Sequence, residues 1–243
     1  MIFLSRLDVE LVNRSLVKSR NVAGQIIKEG IVFVNDSCAK KSSLSVNETD
    51  KIEIKGNLPR YVGRGGLKLE KAIDEFNIEL NNKICIDVGA STGGFTDCML
   101  RNGAGLVYAV DVGKNQLDVS LRENEKVVSF EQTDIRTVQG KISERADFIS
   151  IDVSFISLKK VLPFAVNLLK EQGTIVALIK PQFEVGKSGL GKKGIVKNPR
   201  LRENAVNEIK DFSLQTGLKV NGIIESPITG GDGNVEYLIC LSR

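Results

Sequence analysis

The chain has 243 residues, of which 42% are hydrophobic and 26% charged, and its formal net charge is +4. These are the proportions of an ordinary globular protein, and the length allows one large domain beside a small one. The chain has no histidine, and its four cysteines lack metal-ligand spacing, so we expect no metal site and reduced thiols. No apolar run approaches the ~20 residues that cross a bilayer, and the first residues do not resemble a signal peptide. We therefore expect a cytoplasmic protein without a membrane partner.

The amino-terminal part of the chain, residues 1–55, is predicted to be a small α+β module. Ser19 is a typical N-cap for a helix that Gly30 ends, and short apolar strands follow that helix. Residues 56–66 are rich in glycine and are predicted to form a linker. The remaining residues, 67–243, have a different pattern and are predicted to form a second domain.

The second domain alternates between apolar strands and amphipathic helices. Strands are predicted at 84–88, 106–111, 127–130, 147–152, 174–180, 219–225 and 235–241. Helices are predicted at 67–77, 93–102, 115–123, 157–171 and 198–216. This alternation indicates the α/β class, with a Rossmann-like, mostly parallel sheet and helices on both faces. The connection 226–234 is too short for a helical crossover, so the last strand is predicted to be antiparallel.

Four polar residues stand where strands or helices meet loops, and they are predicted to gather at one edge of the sheet: Lys68, Asp152, Lys180 and Glu236. Ligands of open α/β sheets bind at the carboxyl ends of the strands. Two lysines and two carboxylates there form a site that can move a proton. Lys180 is the candidate base, with Asp152 and Glu236 expected to hold its amine and Lys68 to stabilise a developing alkoxide. Taken singly, each residue also fits an ordinary role, such as a helix cap or an exposed edge charge.

A glycine-rich turn joins the first strand of this sheet to a helix, and its residues are candidate cofactor ligands: Asp87, Gly89, Ala90, Ser91, Thr92, Gly93, Gly94 and Phe95. Their spacing differs from G-x-G-x-x-G, so the fingerprint for a pyrophosphate is missing. Asp111 is placed to bind ribose hydroxyls, and Asp134 follows the third strand near an expected adenine. With Asp87 suited to a cationic amino-acid group and Asp152 at the same edge, this set favours S-adenosylmethionine. A tight turn without a ligand is the alternative.

Basic residues concentrate in two segments of the chain. The first contributes Arg6, Arg14, Lys18, Arg20 and Lys28, and the second contributes Lys187, Lys192 and Lys193. Two separate basic surfaces suit a polyanion that is held at two places. A solvated helix face and a solvated loop are the alternative.

Several long motifs resemble one known family. They are Asp87–Asp97, Arg64–Leu69, Asp152–Leu158 and Leu178–Glu184. These motifs resemble the TlyA family of ribosomal RNA methyltransferases, sometimes called haemolysins, whose catalytic half is similar to the FtsJ-type 2′-O-methyltransferases. Three shorter segments resemble the S-four-type RNA-binding domain of ribosomal proteins: Arg6–Asp8, Ser19–Arg20 and Gly30–Asn35. The resemblance covers nearly the whole chain.

This resemblance implies transfer of a methyl group from S-adenosylmethionine to a cytidine ribose 2′-hydroxyl in ribosomal RNA. The Lys-Asp-Lys-Glu tetrad of the family then falls on Lys68, Asp152, Lys180 and Glu236. The expected partner is ribosomal RNA or a ribosomal subunit, with no DNA. The chain resembles the shorter form of the family, which is associated with large-subunit RNA only, and methylation of both subunits, as in the longer form, is the alternative. Phe155 and Phe183 are candidates for stacking on a flipped base or for the core. A non-catalytic ribosome-binding or assembly factor and a membrane-active haemolysin are the rival hypotheses.

Overall fold

The structure is a computed structural model that describes residues 4–186 and 189–243, except for the side chain of Lys192. The chain divides into two compact units, Met1–Arg64 and Gly65–Arg243. The predicted linker, 56–66, belongs to the first unit except for its last two residues.

The first unit packs two helices against short strands. Its helices are α1 (Leu7–Asn13) and α2 (Arg20–Lys28). Its strands are β1 (Ser5–Arg6), β2 (Val32–Val34), β3 (Ser37–Cys38), β4 (Ser45–Val46) and β5 (Ile52–Ile54). The Ser19 hydroxyl accepts a hydrogen bond from the Val22 amide, so α2 begins at the predicted cap. Leu7, Leu11 and Ile26 are fully buried and belong to the core of this unit.

Among the described residues, the second unit contains a seven-stranded sheet, which confirms the predicted fold class. The strands are β6 (Ile84–Val88), β7 (Leu106–Val110), β8 (Val127–Phe130), β9 (Ala146–Ile151), β10 (Leu169–Ile179), β11 (Lys219–Glu225) and β12 (Tyr237–Ser242). Their order is β11-β12-β10-β9-β6-β7-β8. As predicted, β12 runs antiparallel to its neighbours β10 and β11, while β10, β9, β6, β7 and β8 pair in parallel.

Helices alternate with these strands. They are α3 (Gly65–Phe76), α4 (Gly94–Arg101), α5 (Val119–Arg122), α6 (Leu162–Leu168), α7 (Pro181–Glu184) and α8 (Pro199–Gln215). The short helix α7 was not among the predicted elements. It begins directly after Lys180, and Pro181 is its first residue. Proline suits that position because the first helical residue needs no amide hydrogen.

Two helices differ from the prediction by more than one residue at an end and are much shorter than predicted. The helix predicted at 115–123 loses its first residues because the Asn115 amide donates to the Glu131 carboxylate, which holds that segment as a loop. The helix predicted at 157–171 is divided into a 3₁₀ turn and α6, and Pro163 lies in the first turn of α6. A proline inside one continuous helix would lack a hydrogen bond, so the chain restarts the helix there.

Candidate active site

The residues of the predicted tetrad lie at the carboxyl edge of the parallel strands. The register pairs Ile179 with Tyr237, so Lys180 and Glu236 are neighbours where β10 ends and β12 begins. Asp152 follows the adjacent strand β9. The antiparallel direction of β12 therefore brings Glu236 to the edge that receives the ends of β9 and β10.

Each tetrad lysine has a carboxylate partner. Lys180 Nζ lies 2.7 Å from Asp152 Oδ1 and donates to Ser154 Oγ over 2.8 Å. Lys68 Nζ donates to Glu236 Oε2 over 2.6 Å, and both of these side chains are buried. The expectation that Glu236 holds the Lys180 amine is therefore corrected, because Glu236 binds Lys68 instead. Two ion pairs, rather than one shared cluster around Lys180, neutralise the four charges.

The two ion pairs are joined through neighbouring groups. Gln182 Nε2 donates to Glu236 Oε1 over 3.3 Å, and Gln182 lies in the short helix that Lys180 precedes. A side-chain carbon at Gly65 would lie 3.9 Å from Asp152 Oδ2. The first turn of α3, which carries Lys68, therefore borders Asp152. The predicted tetrad is brought together at one place.

A cavity of about 460 Å³ opens at the same edge, a size that is typical of sites for small organic molecules. Its lining consists of Val88, Gly89, Ser91, Val110, Asp111, Val112, Gln116, Thr133, Asp134, Ile135, Asp152, Val153, Ser154, Phe155, Ile156 and Val161. The charged members of this lining are the three aspartates, and no lysine or arginine of the described residues belongs to it. Such a wall favours a cationic or neutral ligand over a phosphate.

The glycine-rich turn contributes to this cavity and to a smaller adjoining recess of about 120 Å³. The recess is lined by Gly65, Gly89, Ala90, Ser91, Thr92, Gly94, Phe95 and Asp152. The Ser91 amide donates to Asp111 Oδ2 over 2.7 Å, and the Gly113 amide donates to Oδ1 over 2.6 Å. The Asp111 carboxylate is thereby fixed at the cavity wall.

Two residues of the predicted cofactor set do not line either cavity. Asp87 is fully buried below the turn, where Thr96 Oγ1 and Ser150 Oγ donate to its carboxylate over 2.7 and 2.9 Å. The expected direct contact with a cationic group is therefore corrected to a supporting position behind the turn. A side chain at Gly93 would meet Leu121 at 2.2 Å, so this glycine faces α5 rather than a ligand.

Asp134 lines the cavity, but an arginine already occupies its carboxylate. Arg136 Nε donates to Oδ1 over 2.9 Å, and Arg136 Nη2 donates to Oδ2 over 2.7 Å. These hydrogen bonds hold the pKa of Asp134 below its usual range, although partial burial opposes them. The expected contact with an adenine amino group would therefore be shared with this ion pair.

Phe155 occupies an exposed position at the cavity that the sequence left undecided. Its side chain is 91% exposed and its backbone has a φ of 63°. The centre of its ring lies 5.1 Å from that of Phe183, whose ring centre is 5.9 Å from Lys180 Nζ. The predicted alternative of a core residue is wrong for Phe155. Its neighbour Ser154, which binds Lys180, was missed because a serine in a loop carries no distinctive signal.

The predicted RNA-binding residues of the first unit divide into two groups. Lys18 and Lys28 are exposed. Arg6 and Arg20 are also exposed but both bind the buried Asp8 carboxylate, over 2.9 and 2.8 Å. The Arg14 guanidinium makes four hydrogen bonds within the first unit: it donates to Glu10 Oε1 and to the carbonyls of Asn47, Glu48 and Asp50. The prediction for Arg14 is corrected, because its side chain holds the first unit together.

The second predicted basic segment is described only in part. Lys187 lies outside the described residues, and the side chain of Lys192 does as well. Lys193 is exposed and has a φ of 64°. Asn234 anchors this segment, because its amide nitrogen donates to the Gly194 carbonyl and its oxygen accepts from the Val196 amide.

The described residues contain no group of three or more acidic, cysteine or histidine side chains that could hold a metal ion. None of the helices in the described ranges is long and apolar enough to cross a bilayer.

Comparison with known proteins gives two family matches. The model of FtsJ-like methyltransferases matches residues 61–243, and the S4 domain model matches residues 5–52. The 16S/23S rRNA (cytidine-2′-O)-methyltransferase TlyA of Mycobacterium tuberculosis is 40% identical over 98% of this chain and 89% of its own length. The 23S rRNA (cytidine-2′-O)-methyltransferase TlyA of Campylobacter jejuni is 38% identical over 93% of this chain and 95% of its own length.

A solved structure of a protein from Streptococcus thermophilus that bears the name hemolysin is also similar. It is 42% identical with a TM-score of 0.78, and the match covers all of this chain and 90% of the other. The family matches, the relatives and the architecture agree with one another. The chain therefore belongs to the TlyA family of FtsJ-like methyltransferases and carries an S4 domain in its amino-terminal unit.

Proposed function

We propose that this chain transfers a methyl group from S-adenosylmethionine to the 2′-hydroxyl of a cytidine in ribosomal RNA, of the large subunit or of both subunits. The observation that carries the proposal is the convergence of Lys68, Asp152, Lys180 and Glu236 beside a cavity that no basic side chain within the described ranges lines. A ribosomal RNA substrate would place the protein in the cytoplasm.

The cavity fits S-adenosylmethionine, which is cationic and has no phosphate. Asp111 is fixed where it can accept hydrogen bonds from ribose hydroxyls. Asp152 lines the cavity, and its carboxylate, which Lys180 holds over 2.7 Å, adds negative charge that suits a cationic ligand. The apolar side chains of Val112, Ile135 and Ile156 offer a surface for the adenine ring. When bound, S-adenosylmethionine supplies an electrophilic methyl group.

The protein's own part in the chemistry falls mainly to Lys180. A ribose hydroxyl must lose its proton as its oxygen attacks, and a positioned base typically contributes ~10²–10⁴-fold to such a step. We assign the proton to Lys180 Nζ, which Asp152 and Ser154 hold in position. Lys180 accepts this proton as the neutral amine, after its own ammonium proton has left to solvent. Lys68, bound to Glu236, supplies a second positive charge at this edge for the oxygen as its negative charge develops.

Phe155 and the first unit are assigned to the RNA. The exposed Phe155 ring, which packs against the Phe183 ring near Lys180, is suited to stack on a base that has been flipped out of a helix. The S4 domain carries Lys18 and Lys28 on its surface, and these are suited to phosphates. The protein would thus recognise RNA by stacking one base at the cavity and by contacting phosphates of the RNA backbone with the S4 domain.

The test is methyl transfer from labelled S-adenosylmethionine to ribosomal RNA. We expect the wild type to label large-subunit RNA and to make one ribose–phosphate bond resistant to alkali, which identifies a 2′-O-methyl group. Lys180→Ala should lower turnover by ~10²–10⁴-fold while cofactor affinity stays within a few-fold. Turnover close to that of the wild type would remove Lys180 from the role of base.

Lys71→Ala is the matched control, because Lys71 forms an exposed ion pair with Glu75 on α3 and lies outside the cavity lining. It should leave turnover unchanged. Wild-type protein that binds ribosomal RNA but transfers no methyl group would instead support a non-catalytic ribosome-binding factor. Leakage of liposomes on addition of the purified protein would support the membrane-active hypothesis.

A further inference from the structure

Glu184 is a partly buried carboxylate at the end of α7, four residues after Lys180. Its Oε2 accepts a hydrogen bond from Ser157 Oγ over 2.6 Å, and its Oε1 accepts one from the Leu158 amide over 2.9 Å. Burial raises the pKa of Glu184, and these two hydrogen bonds oppose that shift. Both oxygens are thus engaged by one segment of the chain that is distant in sequence.

The segment that Glu184 holds is the continuation of the cavity wall. Residues 152–156 line the cavity, and Ser157 and Leu158 follow them directly. Phe155 within this wall has a left-handed backbone, which is strained for a bulky side chain. Such strain persists only where the surrounding structure holds the backbone in place.

The segment 180–184 also contacts the cavity wall nearer its beginning, at Ser154 and Phe155. Lys180, the residue before α7, donates to Ser154, and the Phe183 ring packs against the Phe155 ring. Glu184 adds the two hydrogen bonds at the far end of the wall. The wall is therefore fastened to the segment 180–184 at three successive points, and Glu184 supplies the outermost of them.

We propose that Glu184 is a positioning residue for methyl transfer, which fixes the cavity wall 152–158 relative to Lys180. This inference rests on the proposed function, because it assigns the purpose of the fixed wall to the alignment of the ribose and base with Lys180. Glu184 itself does not line the cavity, so it acts through Ser154 and Phe155. Misplacement of a positioned group by about 1 Å can lower a rate by roughly 100-fold.

The first measurement is the turnover of Glu184→Ala and Ser157→Ala with ribosomal RNA. We expect Glu184→Ala to lower kcat by roughly 10- to 100-fold, with a smaller change in the KM for S-adenosylmethionine. Ser157→Ala removes one of the same hydrogen bonds and should give a smaller loss. Both variants remove the hydrogen bond between Ser157 and Glu184. The fold-loss of kcat in the double variant should therefore be smaller than the product of the two single fold-losses.

The matched control is Glu208→Ala. Glu208 also lies against this part of the chain, where it forms an ion pair with the Lys159 side chain over 2.7 Å, but both partners are exposed. Exposed ion pairs contribute little, so this variant should keep wild-type turnover. Glu184→Gln should be intermediate, because one oxygen remains as an acceptor for the Leu158 amide.

The second measurement does not depend on activity. The chain contains no tryptophan, so Phe155→Trp places a single fluorescent reporter in the wall. We expect its fluorescence anisotropy to fall and its quenching by acrylamide to rise when Glu184→Ala or Ser157→Ala is added. Glu208→Ala should change neither signal.

Two results would overturn the proposal. One is wild-type turnover in a folded Glu184→Ala variant, and the other is a loss of turnover while the reporter stays as restricted as before. If Glu184→Ala fails to fold, Ser157→Ala with the reporter decides the question alone. If the wild type transfers no methyl group, the proposed function fails, whereas the reporter still shows whether Glu184 holds the wall.

Discussion

Asp87 has no exposed surface, and the hydroxyls of Thr96 and Ser150 donate to its carboxylate beneath the glycine-rich turn. Burial raises the pKa of Asp87 to about 7, against the lowering effect of those two hydrogen bonds. In an unfolded chain the pKa of an aspartate is about 3.9. Between these two values the folded protein therefore holds a proton that the unfolded chain releases.

This proton makes stability depend on pH in a predictable direction. The stabilisation by protonated Asp87 is complete below the unfolded pKa and is lost as the pH rises through the folded pKa. We predict that the free energy of unfolding of Asp87→Asn, taken relative to that of the wild type, rises by on the order of 1–4 kcal/mol between about pH 5 and about pH 8. Chemical denaturation of both proteins at the two pH values measures the change in the free energy of unfolding.

Asp8→Asn is the control, because the pKa of Asp8 is shifted in the opposite direction from that of Asp87. Hydrogen bonds from Arg6, with those from Arg20, lower the pKa of Asp8 to about 2, although burial opposes them. Asp8 is then ionised in both folded and unfolded states across this pH range, so its variant should differ from the wild type by a constant amount. A difference between Asp87→Asn and the wild type that does not change with pH would contradict the pKa assigned to Asp87.

The sequence indicated the acidic residue at this strand end but not the direction of its side chain. Strand β6 is buried on both faces, so its residues lack the alternation that would show which face each one takes. The sequence also did not show which carboxylate pairs with which lysine of the tetrad. Glu236 binds Lys68 rather than Lys180, and the two residues of this pair are 168 positions apart.

At the scale of single elements, the glycine-rich turn depends on one close backbone approach. Gly89 has a φ of 84°, and a side-chain carbon there would lie 2.3 Å from the Asp152 carbonyl oxygen. Real side-chain carbons do not approach backbone this closely, so any other residue would push apart the ends of β6 and β9. These two strand ends carry the turn and the tetrad aspartate.

We predict that Gly89→Ala abolishes measurable binding of S-adenosylmethionine and lowers the melting temperature, because it must displace Asp152. Calorimetric titration and a thermal melt measure the two effects. Gly140→Ala is the matched control, because Gly140 has a φ of 93° and, apart from its chain neighbours, no described residue has an atom within 4 Å of the added carbon. It should cost only about 1 kcal/mol and keep cofactor affinity. Equal cofactor affinity and equal melting temperature in the two variants would show that the close approach of Gly89 to Asp152 is not what matters.

Strands were predicted more closely than helices, for a physical reason. Most strands of the sheet are apolar runs bounded by polar residues, so their ends are visible in the sequence. The exception is β10, which begins at Leu169, ahead of the start predicted at 174, because the residues that follow Leu169 are polar. Helix boundaries depend on tertiary hydrogen bonds, such as those that Glu131 accepts from the Asn115 and Gln116 amides. The helix α7 was missed because four residues show no helical period.

At the scale of the whole molecule, the two units have separate tasks in the proposed function. Lys18 and Lys28 are exposed on the first unit, while the cavity belongs to the second. Lysine–phosphate contacts release counterions, so each contact adds about 0.7–0.9 to the dependence of log affinity on log salt. Charge on the first unit should therefore affect RNA affinity without affecting the cofactor.

We predict that the double variant Lys18→Ala with Lys28→Ala weakens binding of ribosomal RNA and lowers the salt slope by up to about 2. Filter binding over a range of salt concentrations measures the slope, and calorimetry should show unchanged cofactor affinity. Lys126→Ala is the control, because Lys126 is exposed just before β8, away from the carboxyl edge. An unaltered slope in the double variant would refute the role of these lysines.

The position of β12 between β10 and β11 has a consequence for synthesis on the ribosome. Lys68 emerges 168 residues before Glu236, which corresponds to roughly 10–30 s of translation. During that interval the nascent chain has the cation of the buried ion pair without its anion, and β10 has an unpaired edge. The active site is therefore completed late in synthesis, when β12 pairs with β10 and β11 and at the same time brings Glu236 to Lys68.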